Sequence, residues 1–153
     1  MIVPAEGVFR LDKEADTARL GAAIGRELKK GEAVCLSGPL GAGKSTLARG
    51  LIRALAGEET EAPSPTFTLV QSYEGKRFPV AHFDLYRLEK PEEVLELGFD
   101  DAIHDGAAVI EWPEKLGHHL PANRLDVELV IQGDRRRARL SPHGAWTERA
   151  IAF

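Results

Sequence analysis

A mixed α/β layer fold is predicted for this chain, with a mostly parallel core sheet, antiparallel hairpin additions and flanking helices. Three observations predict it. Short apolar runs alternate with segments of helical periodicity, which is the pattern of strands crossing over through helices. A glycine-rich stretch, Gly38-Pro39-Leu40-Gly41-Ala42-Gly43-Lys44-Ser45, joins one such run to one such helix. Finally, Glu74-Gly75-Lys76 and Gly133-Asp134 each separate two strand-like segments by a turn too short for a helix.

The elements follow in order. From Asp12 to Leu28, residues Leu20, Ile24 and Leu28 recur at helical spacing, Lys29-Lys30 suit the negative helix end, and Gly31 supplies a stop. Ala33-Val34-Cys35-Leu36 reads as a buried strand, and Leu47, Leu51 and Leu55 place a second helix running to about Ala56, with Gly57 beyond it. Alternating Phe67, Leu69 and Tyr73 predict a strand over Pro65 to Tyr73, paired through the turn with Val80–Tyr86. Pro91 suits the first residue of a short helix that ends before Gly98, and Ala107–Glu111 is too short and apolar for anything but a buried strand. Leu125–Ile131 and Ala138–Leu140 form a final hairpin. With 153 residues, 43% of them hydrophobic, and no repeats or linkers, the expectation is a single domain over 1–153.

Composition narrows the function classes. A net charge of −4 disfavours a protein whose main task is gripping nucleic acid, which calls for a basic excess. No apolar run reaches membrane-spanning length and the N-terminus lacks a signal pattern, so a cytoplasmic protein with no membrane association is expected. Cys35, the one cysteine, lies in an apolar strand and reads as an inert buried thiol. The five histidines, His118-His119 included, lack the spacing of metal ligands.

Gly38 to Ser45 matches G-x-x-x-x-G-K-[ST], the phosphate-binding loop of P-loop NTPases, and its strand and helix flanks are the ones that loop requires. The glycines let successive N–H groups converge on an anion at a helix N-terminus. Lys44 can reach the β- and γ-phosphates, and the Ser45 hydroxyl can ligate Mg²⁺. Such a loop needs a carboxylate at the C-terminal end of an apolar strand, and both Asp84 and Glu111 qualify. The residues alone do not divide metal binding from water positioning between them. The guanine-reading N-K-x-D pattern is excluded because Asn123 is the only asparagine, and no L-S-G-G-Q stretch is present. The Arg135–Arg139 cluster reads either as a solvated face or as a source of a nucleotide contact.

Four blocks then agree in order and spacing with one family. Leu40-Gly41-Ala42-Gly43-Lys44-Ser45-Thr46-Leu47-Ala48-Arg49-Gly50, Ser64-Pro65-Thr66-Phe67-Thr68-Leu69-Val70, His82-Phe83-Asp84-Leu85-Tyr86-Arg87-Leu88 and Glu111-Trp112-Pro113-Glu114 resemble the TsaE (YjeE) family from about Asp12 to Leu140. The resemblance implies a P-loop ATPase using ATP and Mg²⁺. It implies support for N6-threonylcarbamoyladenosine synthesis at position 37 of tRNA, with TsaD and TsaB as partners that hold the RNA. Hydrolysis would reset that complex, weakly in the isolated chain. Position by position, it implies nucleotide contacts at Gly38, along Leu40 to Thr46, and at Thr66 and Trp112, with Thr17 and Arg136 near the nucleoside. Lys44, Asp84 and Glu111 become the catalytic set, with Ser45 and Glu111 at the metal and Asp84 at the attacking water. The chain departs from the family pattern at Pro39, where Asp is usual, and at Ser45, where Thr is usual. A small-molecule kinase is the alternative reading, although little chain is left for an acceptor site or lid. A nucleotide-dependent regulatory module without turnover is a third.

Overall fold

The structure, a computed structural model, describes residues 1–153. The chain begins with two short strands, β1 (Ile2–Pro4) and β2 (Gly7–Leu11), followed by helix α1 (Glu14–Glu27). Next come β3 (Ala33–Ser37), α2 (Lys44–Ala56), β4 (Val70–Glu74) and β5 (Pro79–Asp84). Two short helices, α3 (Glu93–Glu96) and α4 (Phe99–Asp105), precede β6 (Ala107–Glu111) and a 3₁₀ segment over Pro113–His119. The long hairpin β7 (Arg124–Gln132) and β8 (Arg135–His143) leads to β9 (Ala150–Ala152).

Seven strands form one sheet in the order β2-β8-β7-β3-β6-β5-β4, while β9 pairs with β1 in a separate ribbon. The central strands β7, β3, β6 and β5 run parallel to one another, and β4, β8 and β2 add antiparallel edges. The expected mixed sheet with a mostly parallel core is therefore present. Side-chain alternation divides β3 between two cores. Val34 and Leu36 pack under α1 and α2 with Leu20, Ile24, Leu47 and Leu51, whereas Ala33 and Cys35 face Phe83, Phe99, Ile110 and Leu116 on the other side. Burial on both faces is why β3 and β6 read as continuous apolar runs.

Helices α1 and α2 touch backbone to backbone. A Cβ at Gly21 would overlap the Leu47 carbonyl oxygen, one at Gly25 would lie 2.8 Å from the Leu51 carbonyl oxygen, and one at Gly50 would overlap the Ala18 carbonyl. A buried fork ties the C-terminal segment to the same helix. Arg149 donates to Glu32 Oε1 and Oε2 at 2.6 and 2.8 Å and to the Glu27 carbonyl at 3.0 Å.

Several expectations are corrected. The strand expected over Pro65 to Tyr73 begins only at Val70, because Leu69 adopts a left-handed conformation (φ 68°) and its N–H closes a turn onto the Pro65 carbonyl at 2.7 Å. The first helix starts at Glu14 rather than Asp12, with the Lys13 N–H capped by the Asp16 carboxylate at 3.1 Å. Pro91 precedes the short helix rather than opening it. The short helix does end before Gly98, as expected, but Gly98, with φ 77°, caps a further helix that was not expected, α4, whose mixed sequence has no long apolar period. Strand β5 stops at Asp84, short of Tyr86. The terminal hairpin is longer than expected and, through β7, supplies a core parallel strand. Strands β1, β2 and β9 were not legible: β1 and β2 have most side chains exposed, and β9 is three residues long.

The helix contact yields a stability test. Gly21→Ala should lower unfolding free energy by about 1–3 kcal/mol in urea titration, because a backbone carbonyl cannot move aside as a side chain can.

Candidate functional site

Strand β3 ends at Ser37, and the chain turns through the glycine loop into α2. Gly38 is required there: its φ is 136°, and a Cβ would lie 2.5 Å from the Leu129 carbonyl oxygen of β7. Gly43, at φ 105°, is the residue preceding α2. The N–H groups of Gly43, Lys44, Ser45 and Thr46 donate to no backbone carbonyl, so four adjacent donors stay free at a helix N-terminus. Lys44, only 6% exposed, donates through Nζ to the Gly38 carbonyl at 2.8 Å and lies 3.9 Å from the Trp112 ring centroid. A buried cation held by a carbonyl and a ring face, beside N–H donors with no backbone acceptor, concentrates positive potential at the turn into α2.

The acids come from the next two parallel strands, where Asp84 of β5 pairs in register with Glu111 of β6. Both are buried. Asp84 Oδ2 accepts from Ser64 Oγ at 3.4 Å and Thr66 Oγ1 at 3.3 Å, and its Oδ1 accepts from the Tyr86 N–H at 3.2 Å. Glu111 Oε2 lies 2.7 Å from His82 Nε2. Immediately after Glu111, Trp112 takes a left-handed conformation (φ 61°, ψ 52°), which brings its ring to 5.0 Å from that of Tyr86 and over Lys44. A non-glycine residue in that region stores strain that its surroundings must sustain.

These side chains share one cleft of about 440 Å³, lined by Leu40, Gly41, Gly43, Lys44, Ser45, Thr46, Ser64, Thr66, Asp84, Tyr86, Glu111 and Trp112. A second cleft meets it across the loop and contains Thr17, Gly41, Gly43, Thr46, Asp134 and Arg136 among its lining. The structure thus brings together nearly every residue singled out in the sequence. Gly38 lies behind the cleft and contributes its carbonyl to Lys44. Ala42 is fully buried in the core under α1 and α2, and its N–H bonds to the Pro39 carbonyl at 3.1 Å, so it serves the loop's shape. Arg136 donates to the Gly41 carbonyl at 3.2 Å. Its neighbours Arg135, Arg137 and Arg139 point to the opposite sheet face, because β8 alternates. Sequence reasoning missed His82 and Tyr86 as site residues. His82 falls at period two from Asp84 on the same strand, which is the signal that could have found it.

The fold and site define a class: a mixed α/β protein whose glycine-rich strand-to-helix loop sits at the C-terminal edge of a mostly parallel sheet, flanked by two strand-end acids. Residues 11–139 match the family described as Threonylcarbamoyl adenosine biosynthesis protein TsaE. This chain belongs to the TsaE family. Among its relatives, the tRNA threonylcarbamoyladenosine biosynthesis protein TsaE of Nostoc is 40% identical over 152 residues, covering 95% of this chain and 91% of that one. The protein of the same name from Rickettsia felis is 39% identical over 127 residues, covering 83% and 74% respectively. The crystal structure of Bacillus subtilis YdiB superposes with a TM-score of 0.77 at 26% identity, covering 96% of this chain and 90% of that chain.

Cys35 lies two residues before the end of β3 but faces the other core. Burial pushes its thiol far above the ordinary value of about 9, and the neighbouring Asp126 carboxylate raises it further. The folded thiol therefore stays protonated at pH 8, and labelling by a thiol reagent should proceed only as the chain unfolds. The unfolded chain releases this proton above about pH 9, so stability should fall with rising pH there, less steeply in Cys35→Ala. Urea titrations at pH 8 and 10 check the sign.

Proposed function

We propose that this chain is a Mg²⁺-dependent ATPase of the P-loop NTPase fold, one domain over 1–153. It would act in the cytoplasm in tRNA N6-threonylcarbamoyladenosine synthesis by binding and resetting a TsaD–TsaB complex. The observation that carries the reading is the Lys44 cation, buried beside four free N–H donors and opposite the Asp84–Glu111 pair. That constellation suits a polyphosphate with a divalent metal better than a lone anion, because two buried carboxylates would repel an anion carrying no cation.

In this reading the loop N–H groups and Lys44 hold the β- and γ-phosphates, and Lys44 exchanges the Gly38 carbonyl for phosphate oxygens. Ser45 and Glu111 are the residues that would hold Mg²⁺, which supplies charge neutralisation between the phosphates. The Asp84 carboxylate orients and deprotonates the attacking water, while Ser64 and Thr66, bonded to it, link that acid to the loop before β4. Thr17 and Arg136 line the cleft beside the loop, where the nucleoside would lie. Trp112 covers the Lys44 side chain.

The cleft mouth also suits a partner. Leu40 and Tyr86 line the cleft and are exposed, and Phe67, 81% exposed, follows Thr66 of that lining, so apolar side chains beside the site are open to a docking protein. RNA would be engaged indirectly, consistent with the acidic balance of the chain.

Two outcomes are expected. Glu111→Gln should raise the Mg²⁺ concentration needed for half-maximal ATP binding about tenfold, whereas Asp84→Asn should leave binding within about twofold and slow hydrolysis on the order of 10²-fold. Calorimetric titration and single-turnover hydrolysis separate the two, and the reverse pattern exchanges their roles. The isolated chain should hydrolyse ATP slowly, and added TsaD–TsaB should accelerate it, with the complex binding the ATP and ADP states unequally. Thr66→Ala should blunt the acceleration more than it weakens ATP binding. Rapid turnover alone, indifferent to the complex, would support the kinase alternative instead.

A further inference from the structure

We propose that His82 is a positioning residue for Glu111: its Nε2–H holds Oε2 at 2.7 Å and leaves Oε1 as the oxygen presented to the metal. The inference rests on the proposed Mg²⁺-ATP site. Both groups are almost completely buried, and His82 is the one side chain hydrogen-bonded to Glu111. They occupy adjacent parallel strands, with His82 in register with Val109 and Asp84 with Glu111. Alternation therefore places His82, Asp84 and Glu111 on one face, with His82 behind the acids.

The bond direction follows from donor chemistry. An ionised carboxylate only accepts, so Nε2 must carry the proton. His82 Nδ1 is buried with no partner, a tolerable state for a lone pair and a costly one for an N–H. The tautomer with Nε2–H and bare Nδ1 satisfies both conditions. A histidine kept only to fill space would be a poor choice here, because phenylalanine fills a similar volume without an unpaired nitrogen.

The two acids are held by different means. Asp84 is clamped by hydroxyls from the irregular loop before β4 and by a backbone N–H. Glu111, with three side-chain torsions, is clamped by an imidazole whose own backbone lies within β5. Removal of the imidazole leaves the carboxylate free to sample rotamers that turn it from the loop. Groups placed this way behind metal ligands tune affinity without touching the metal.

The test uses the full chain, with Trp112 fluorescence as the reporter of nucleotide and Mg²⁺ as the varied ligand. In His82→Phe the Mg²⁺ midpoint for ATP binding should rise at least about tenfold, while affinity for metal-free ATP stays within about twofold. His82→Gln places an amide N–H near the position of Nε2 and should restore the midpoint to within about threefold; His82→Asn, equally polar but one carbon shorter, should not. The Gln and Asn pair decides the matter if the Phe variant does not fold. Midpoints that match wild type in Phe and Asn, or that shift equally in Gln and Asn, overturn the proposal. A wild-type chain that binds ATP without any Mg²⁺ dependence overturns the metal site itself, a different failure visible before any variant is made.

Discussion

Parallel strands cannot be joined by tight turns, so their C-terminal ends gather at one edge of the sheet, and that constraint organises this molecule. Strands β3, β5 and β6 end at Ser37, Asp84 and Glu111, and each end contributes to the same cleft: the glycine loop, one acid, the other acid. The register that pairs Asp84 with Glu111 is the one that packs Val80, Val109 and Val34 beneath α1 and α2. A slip of either strand by one residue would turn its acid into the opposite core and its apolar residues from that core toward the helices, separating the two acids across the sheet. The hydrophobic pattern thus sets the geometry of the charged site.

The site in turn depends on how its buried charges are accommodated. Lys44, Asp84 and Glu111 are each buried, a placement that costs free energy unless every charge finds partners. Lys44 has a carbonyl and a ring face, Asp84 has two hydroxyls and an amide, and Glu111 has an imidazole. None of these partners is a formal opposite charge in direct contact, so the cation and the acids remain available to something placed between them. The left-handed Trp112 belongs to the same arrangement, since its turn puts the indole over Lys44.

The supporting framework concentrates its close contacts near this edge. Glycines at 21, 25 and 50 let α1 and α2 approach backbone to backbone, which brings Thr17 of α1 against the loop: a Cβ at Gly43 would lie 3.3 Å from Thr17 Cγ2. The Arg149–Glu32 fork secures the far end of α1 and the C-terminal segment. The helix that carries the loop and the helix that borders the second cleft therefore form one packed unit.

Much of this was legible in the chain. Continuous apolar runs at 33–36 and 107–110, the spaced leucines of α2 and the glycine loop that leads into it pointed to a parallel α/β core with a glycine-rich strand-to-helix turn, because local sterics and periodicity act over a few residues. Strand-end positions marked Asp84 and Glu111 as the acids. Other features depended on contacts distant in sequence. The exposed strands β1, β2 and β9 exist only because partners 125 or more residues away satisfy their backbone groups, and Leu69 leaves the strand pattern to close a turn onto Pro65. The arginine cluster was divided by the pleat of β8, sending Arg136 to the loop and its neighbours to the opposite face. His82 acquired its contact with Glu111 only when β5 and β6 paired. Local chemistry determined which residues could bind; the tertiary pairing decided which of them meet, because meeting requires two strands that no short-range interaction brings together.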